Sequence, residues 1–204
     1  MISIIDYGVG NVGAISNMLT FLRIENKITS HKDQILESTG MILPGVGSFD
    51  KAMSKLNNHL ELLNSIKIFA EEYKKPVLGI CLGMQIMAKD SSEGITPGLG
   101  WVNTQICKFS NSNEVKVPNM GWRDVRLEKN DPLFDGLPIS SKFYFSHSYY
   151  MPLDQHYSIM TSDNGEKFSA AFKSENIYGV QFHPEKSHAY GMKILGNFAR
   201  ISNG

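Results

Sequence analysis

Short apolar runs, separated by stretches with helical spacing, dominate the first half of the chain. Residues 2–5, 41–43 and 77–80 are each too short for a helix and apolar apart from Ser3, the pattern of strands buried on both faces. Residues 25–30 read as a second, weaker strand. Val12, Ile15, Met18, Leu19 and Leu22 fall on one helical face behind Asn11, a residue suited to cap a helix N-terminus. Ser48 stands ready to cap a helix that runs to Leu56. Leu60, Leu63, Ile66, Ile68 and Phe69 mark another over 60–73, which must end ahead of Pro76. Strands alternating with helices imply a mostly parallel sheet with helices on both faces.

Beyond residue 100 the pattern changes. Runs 101–109, 122–127, 143–150, 157–161, 168–173 and 177–182 read as successive strands. Asn130-Asp131-Pro132 and Asp163-Asn164-Gly165 punctuate them as turns. Only 187–201 returns to helix. No flexible linker separates the halves, so the expectation is one α/β domain over 1–204 with a mixed, partly antiparallel β extension in its C-terminal half.

Composition narrows the function classes. The 204 residues carry 20 basic and 20 acidic side chains, a balance that argues against an electrostatic grip on nucleic acid or on an anionic membrane. Two cysteines, Cys81 and Cys107, make no disulfide framework, which points to a reducing, cytoplasmic compartment. The first residues lack the basic and long apolar regions of a signal peptide, and no apolar run approaches a membrane span. No cysteine–histidine spacing suggests a metal, and no cofactor is implied.

Two stretches carry candidate chemistry. In Gly79-Ile80-Cys81-Leu82-Gly83 a thiol follows a buried strand at once and precedes what reads as a helix start over 82–89, so Cys81 sits on a sharp strand-to-helix turn, the geometry of a nucleophile elbow. The flanking glycines suit so tight a turn, and a helix N-terminus favours thiolate. The plainer alternative is a buried structural thiol. In Gln181-Phe182-His183-Pro184-Glu185 an imidazole ends an apolar strand beside a proline-braced carboxylate. If 183–185 stay extended, His183 and Glu185 point to the same side. Thiol, imidazole and carboxylate together form a nucleophile, its base and the base's orienter.

These residues carry a resemblance. The elbow around Cys81 with His183-Pro184-Glu185 resembles the triad-type class I glutamine amidotransferases. Asp6-Tyr7-Gly8-Val9-Gly10-Asn11, Pro44-Gly45-Val46-Gly47-Ser48-Phe49, Met120-Gly121-Trp122, Phe143-Tyr144-Phe145 and His147-Ser148-Tyr149-Tyr150 are similar to the glutaminase subunits of imidazole glycerol phosphate synthases, over nearly the whole chain. The resemblance implies a flavodoxin-like three-layer fold. It implies Cys81 as nucleophile, His183 as base then acid, and Glu185 as orienter. The backbone at Val46, Gly47 and Leu82 would hold the oxyanion. Gln85 and the backbone of Ser148 and Tyr149 would hold glutamine. It places Asn11, Trp122, Tyr144 and Lys186 at the interface with a (β/α)8-barrel cyclase, which receives the ammonia in a heterodimer.

Some positions depart from that pattern. Arg123 stands where the family usually has Asn, Asn119 where it has His, and Ser146 where an aliphatic residue is common. Residues 93–101 and 190–192 resemble a paralogous branch that supplies ammonia to a ligase amidinating surface sugars, so the acceptor stays open between two pathways. A rival of another class is a dinucleotide-binding module, since Gly8-Val9-Gly10-Asn11-Val12-Gly13 fits G-x-G-x-x-G. Its required acidic residue is poorly placed, because Asp33 follows the second strand rather than ending it.

Overall fold

The computed structural model describes residues 1–110 and 115–204. In chain order its elements are β1 (Ile2–Ile5), α1 (Val12–Phe21), β2 (Asn26–Thr29), α2 (Lys32–Glu37), β3 (Gly40–Gly45), α3 (Phe49–Asn57), α4 (Leu60–Lys67), β4 (Val77–Cys81), α5 (Leu82–Gln85), β5 (Ala88–Ser91), β6 (Val102–Lys108), β7 (Asn119–Asp124), β8 (Arg126–Leu127), β9 (Lys142–His147), β10 (Tyr149–Tyr150), β11 (Ser158–Asp163), β12 (Lys167–Ser174), β13 (Ile177–Val180) and α6 (His188–Asn203). The main sheet has eight strands in the order β2-β1-β3-β4-β13-β12-β11-β8. Pairing is parallel from β2 to β13 and antiparallel beyond. This is the central, mostly parallel sheet with an antiparallel extension that the sequence pattern predicts.

Each central strand feeds two cores because successive side chains leave opposite faces. Ile4, Ile42, Leu78 and Ile80 join α1 and α6 on one face through Ile15, Leu19, Ile194 and Phe198. Ile5, Met41, Leu43 and Val77 join α3 and α4 on the other through Phe49, Leu56, Leu62 and Ile66. Each such fully buried aliphatic or aromatic side chain contributes about 2 kcal/mol relative to exposure. Two smaller sheets, β10-β6-β5 and the antiparallel pair β7-β9, accompany the large sheet. Their strands alternate buried and exposed positions, as one-sided strands do.

Several sequence expectations need correction. The helix after Cys81 is a single turn, Leu82–Gln85, not a run to 89. Residues 88–91 instead pair parallel with β6, and the Ile86 and Met87 carbonyls are taken by Leu99 and Trp101. Run 122–127 divides between two sheets, and 143–150 breaks at Ser148. The short helix α2 has too little periodicity to be read. Ser48 occupies the N-cap position of α3 without capping it; the Glu93 carboxylate accepts from the Phe49 N–H at 2.8 Å in its place. The 60–73 helix ends in a π-helical turn over Ile68–Glu72. Among the described residues, no helix is long and apolar enough to cross a membrane.

The close fit of α5 against β3 depends on Gly83. A Cβ there would overlap the Leu43 carbonyl oxygen. Gly83→Ala is therefore expected to destabilise the protein by about 3 kcal/mol, read as a lowered denaturation midpoint at unchanged slope.

Candidate active site

Three strand ends lie side by side. Gly45 of β3 is in register with Cys81 of β4, and Val180 of β13 with Ile80. The residues that follow, Val46-Gly47, Leu82 and Gln181–His183 in the chain, are thereby delivered to one edge. This is the carboxyl end of a parallel sheet, where α/β folds place their ligands. A cleft of about 390 Å³ opens there, with Cys81 and His183 in its lining. Val46, Gly47, Leu82 and Gln85 line it from the strand-end side. Ser148, Tyr149 and Lys186 close it from the other.

Cys81 has φ 55° and ψ −110°, a backbone that L-residues rarely adopt. It lifts the side chain off the strand at the sharp turn into α5. The residue is only 6 % exposed, and its sulfur shares the cleft lining with the His183 ring. His183 Nδ1 lies 2.9 Å from Glu185 Oε1, with both side chains almost fully buried. Segment 183–185 is not extended. Pro184–Lys186 forms a 3-10 turn, with Pro at its start, and this turn folds the carboxylate back onto the imidazole. The other Glu185 oxygen is buried and has no hydrogen-bond partner among the described residues, so the carboxylate is directed at His183. Burial opposes charge on His183, but hydrogen bonds and negative charge from Cys81 and Glu185 outweigh it and raise the imidazole to about 10. The arrangement places a carboxylate-oriented base in the same cleft as the thiol, as nucleophilic catalysis by cysteine requires.

The 44–47 loop is pinned at one end. The Tyr7 hydroxyl donates to the Pro44 carbonyl at 2.6 Å. Burial, with the Cys81 charge adding to it, pushes the Tyr7 phenol far above its usual range, so it stays a donor. Val46 is half exposed, and Gly47 has φ +104° with open space around it. Gln85 Nε2 reaches across to the Tyr149 carbonyl, donating at 2.8 Å. Asn11 and Lys186 are exposed and Trp122 is partly so, its ring stacked on His188 at 5.4 Å and edge-on to Tyr144 at 6.3 Å. Lys186 Nζ sits 5.5 Å from the Tyr144 ring centre. The Lys186 turn packs on both α1, which follows Asn11, and β9, which carries Tyr144.

Sequence reasoning missed Glu93, His147 and Gln181 as parts of this region. Glu93 lines the cleft, a carboxylate beside the 46–47 loop that no motif announced. Gln181 Nε2 approaches the Cys81 sulfur at 3.7 Å; its place in the 181–185 stretch was the available signal. Asp33 lies in the first turn of α2, not at the tip of β2, and Gly10 packs against Pro44, which disfavours a dinucleotide cradle. Cys107 lies outside the cleft, and burial raises its thiol.

His147 packs among Phe109, Phe145 and Phe168. Burial therefore lowers it from 6.5 to about 4, with the charges of His183 and Arg123 adding to the effect against the bond to the Tyr149 carbonyl. A folded-state value below the unfolded one means the unfolded chain binds the extra proton. Stability should fall as pH drops from 6.5 toward 4, by about 3 kcal/mol from this residue. Urea titrations across that window should show a shallower loss in His147→Gln; an unchanged slope would remove His147 from the acid response.

Known proteins share both the sequence and the fold. The family model for glutamine amidotransferase class-I matches residues 3–201. A relative from Methanococcus maripaludis, named imidazole glycerol phosphate synthase subunit HisH 2, is 45% identical over 98% of this chain and 99% of its own. The subunit HisH from Bdellovibrio bacteriovorus is 44% identical over 98% of this chain and 100% of its own. Among solved structures, PurLQS from Thermotoga maritima superposes with a TM-score of 0.74 at 20% identity, over 98% of this chain and 97% of the matched chain. On this sequence match, and with the fold shared, the chain belongs to the class I glutamine amidotransferases.

Proposed function

We propose that this chain is the glutaminase subunit of an imidazole glycerol phosphate synthase, releasing ammonia from glutamine for a partner cyclase of (β/α)8 form. The observation that carries the reading is the strained Cys81 in the cleft, which it lines together with a His183 that Glu185 orients. Relatives named for that synthase favour it over supply to a sugar-amidinating ligase.

In this reading glutamine enters the cleft with its side-chain amide at Cys81. The thiolate attacks the amide carbon, and the oxygen takes the negative charge. Backbone N–H groups of the 46–47 loop and of Leu82 stabilise it; preorganised donors of this kind are the large electrostatic term in acyl transfer. His183 hands its proton to the departing nitrogen, and ammonia leaves. It then takes a proton from water, whose oxygen attacks the glutamyl thioester and frees glutamate. Glu185 keeps the ring aligned through both steps. Gln85 and the backbone of Ser148 and Tyr149 hold the substrate, and Glu93 is placed to meet its ammonium group. Asn11, Trp122, Tyr144 and Lys186 form the rim that meets the cyclase.

The pinned Pro44 and the glycines around Val46 suit a loop whose peptide takes its productive orientation only in the assembled enzyme. Loss of one oxyanion donor costs on the order of 100- to 1000-fold, so turnover should rise by a comparable factor from the chain alone to the complex with acceptor bound. Steady-state glutamate release by the chain alone, with the cyclase, and with the cyclase and acceptor checks this; equal turnover in all three contradicts it. Cys81→Ala should abolish glutamine hydrolysis while leaving synthesis from added ammonia intact, and Glu185→Ala should lose less than Cys81→Ala. Wild-type glutamine hydrolysis by Cys81→Ala would refute the assignment.

A further inference from the structure

A continuous line of hydrogen bonds runs from the β7–β9 pair to the nucleophile. Arg123 Nε donates to Asn119 Oδ1 at 2.9 Å. Asn119 Nδ2 meets His147 Nε2 at 2.9 Å, and His147 Nδ1 meets the Tyr149 carbonyl at 2.8 Å. That carbonyl also accepts from Gln85 Nε2 at 2.8 Å, and the same nitrogen donates to Gln181 Oε1 at 2.9 Å. Gln181 Nε2 then faces the Cys81 sulfur at 3.7 Å. Asn119, His147, Gln85 and Gln181 are all buried.

Four of these side chains, Asn119, His147, Gln85 and Gln181, are ambiguous by themselves. An amide can turn its oxygen or its nitrogen either way, and an imidazole can carry its proton on either nitrogen. Two fixed partners remove the ambiguity. A guanidinium only donates, so Asn119 must present its oxygen to Arg123 and its N–H to His147. His147 Nε2 must then accept, and the proton sits on Nδ1. A backbone carbonyl only accepts, so Tyr149 demands the same proton position from the other end. It likewise demands the N–H end of Gln85, which turns the Gln181 oxygen toward Gln85 and its N–H toward Cys81. Each link agrees with the next, and the line ends in a donor aimed at the sulfur.

We infer that Arg123 and Asn119 are positioning residues for the amidotransfer reaction: their donor-only origin keeps His147 neutral and Nδ1-protonated, and that N–H holds in place the Tyr149 carbonyl, which in turn fixes Gln85 and leaves Gln181 with an N–H directed at Cys81. This rests on the function proposed above for its rate effects but not for the proton position. An N–H at the sulfur favours the anion that attacks the amide. The Tyr149 backbone, held by His147 and Gln85 together, is also the wall expected to carry glutamine.

Reversing the polarity at its origin tests the inference. Arg123→Glu accepts instead of donating. Asn119 must turn its N–H toward Glu and its oxygen toward His147, which then needs a proton on Nε2 while Tyr149 still needs one on Nδ1. Long-range nitrogen–proton NMR of the histidine ring at neutral pH should show His147 with its proton on Nδ1 in the wild-type chain and with Nε2 protonated in Arg123→Glu. Alkylation of Cys81 by iodoacetamide and kcat/KM for glutamine should both fall about tenfold, the effect of one misdirected buried donor. Arg123→Lys, still donor-only, should recover most of that loss. Arg123→Gln, able to face Asn119 with either end, should lie between them and serves if the charge reversal unfolds the β7–β9 pair. A wild-type His147 protonated on Nε2, or equal rates for the Glu, Gln and Lys variants, would overturn the inference. Absence of glutamine hydrolysis in every variant with the Nδ1 proton in place would overturn the proposed function instead.

Discussion

Cys81 sits at φ 55° and ψ −110° at the end of a strand buried on every side, and that conformation costs an L-residue about 1–3 kcal/mol. Packing around it maintains the strain. β4 lies between β3 and β13, both parallel to it and fully buried, so the strand cannot relax sideways. Gly83 lets α5 close onto the Leu43 carbonyl, which fixes the direction of the chain just after the thiol. The strain is thus a property of the central sheet, and any loosening of β3 or β13 would release the elbow. The same three strands set the positions of the 46–47 loop and of His183, which explains why distant parts of the chain meet at one sulfur.

Two polar systems converge there with different characters. His183 is held between a thiol and a carboxylate that raise its proton affinity against the burial that lowers it. His147 lies among phenylalanine rings where burial dominates and the ring stays neutral. One imidazole is set to carry charge, the other to transmit hydrogen-bond direction. Their separation follows from what surrounds each ring: acidic partners at the turn after β13, and aromatic packing beneath β9.

Local patterns revealed much of this. β1, β3, β4 and β13 are apolar runs because both their faces are covered, and the glycine-bracketed Cys81 and proline-braced Glu185 mark the turns that bear them. Features decided by tertiary partners were hidden. Ala88 and Lys89 look like the end of the helix that starts at Leu82, and only β6 beside 88–91 makes them part of a strand. Ser48 has the right chemistry for a cap, yet Glu93, distant in sequence, fills that role. Arg123 and Asn119 stand out in the sequence as departures from a pattern, but their connection to Cys81 runs through four other residues and is visible only in three dimensions.

The proposed chemistry turns on a covalent step at one sulfur. The most direct measurement is rapid acid quench of the chain mixed with glutamine, in complex with its partner subunit, followed by mass spectrometry of the cysteine-containing peptides. The expected result is a glutamyl thioester on Cys81 alone, formed as ammonia is released and lost as glutamate appears. Turnover of glutamine with no adduct on Cys81, in quench times shorter than a single turnover and with Glu185→Ala used to slow the hydrolysis of any intermediate, or an adduct on Cys107, would contradict it.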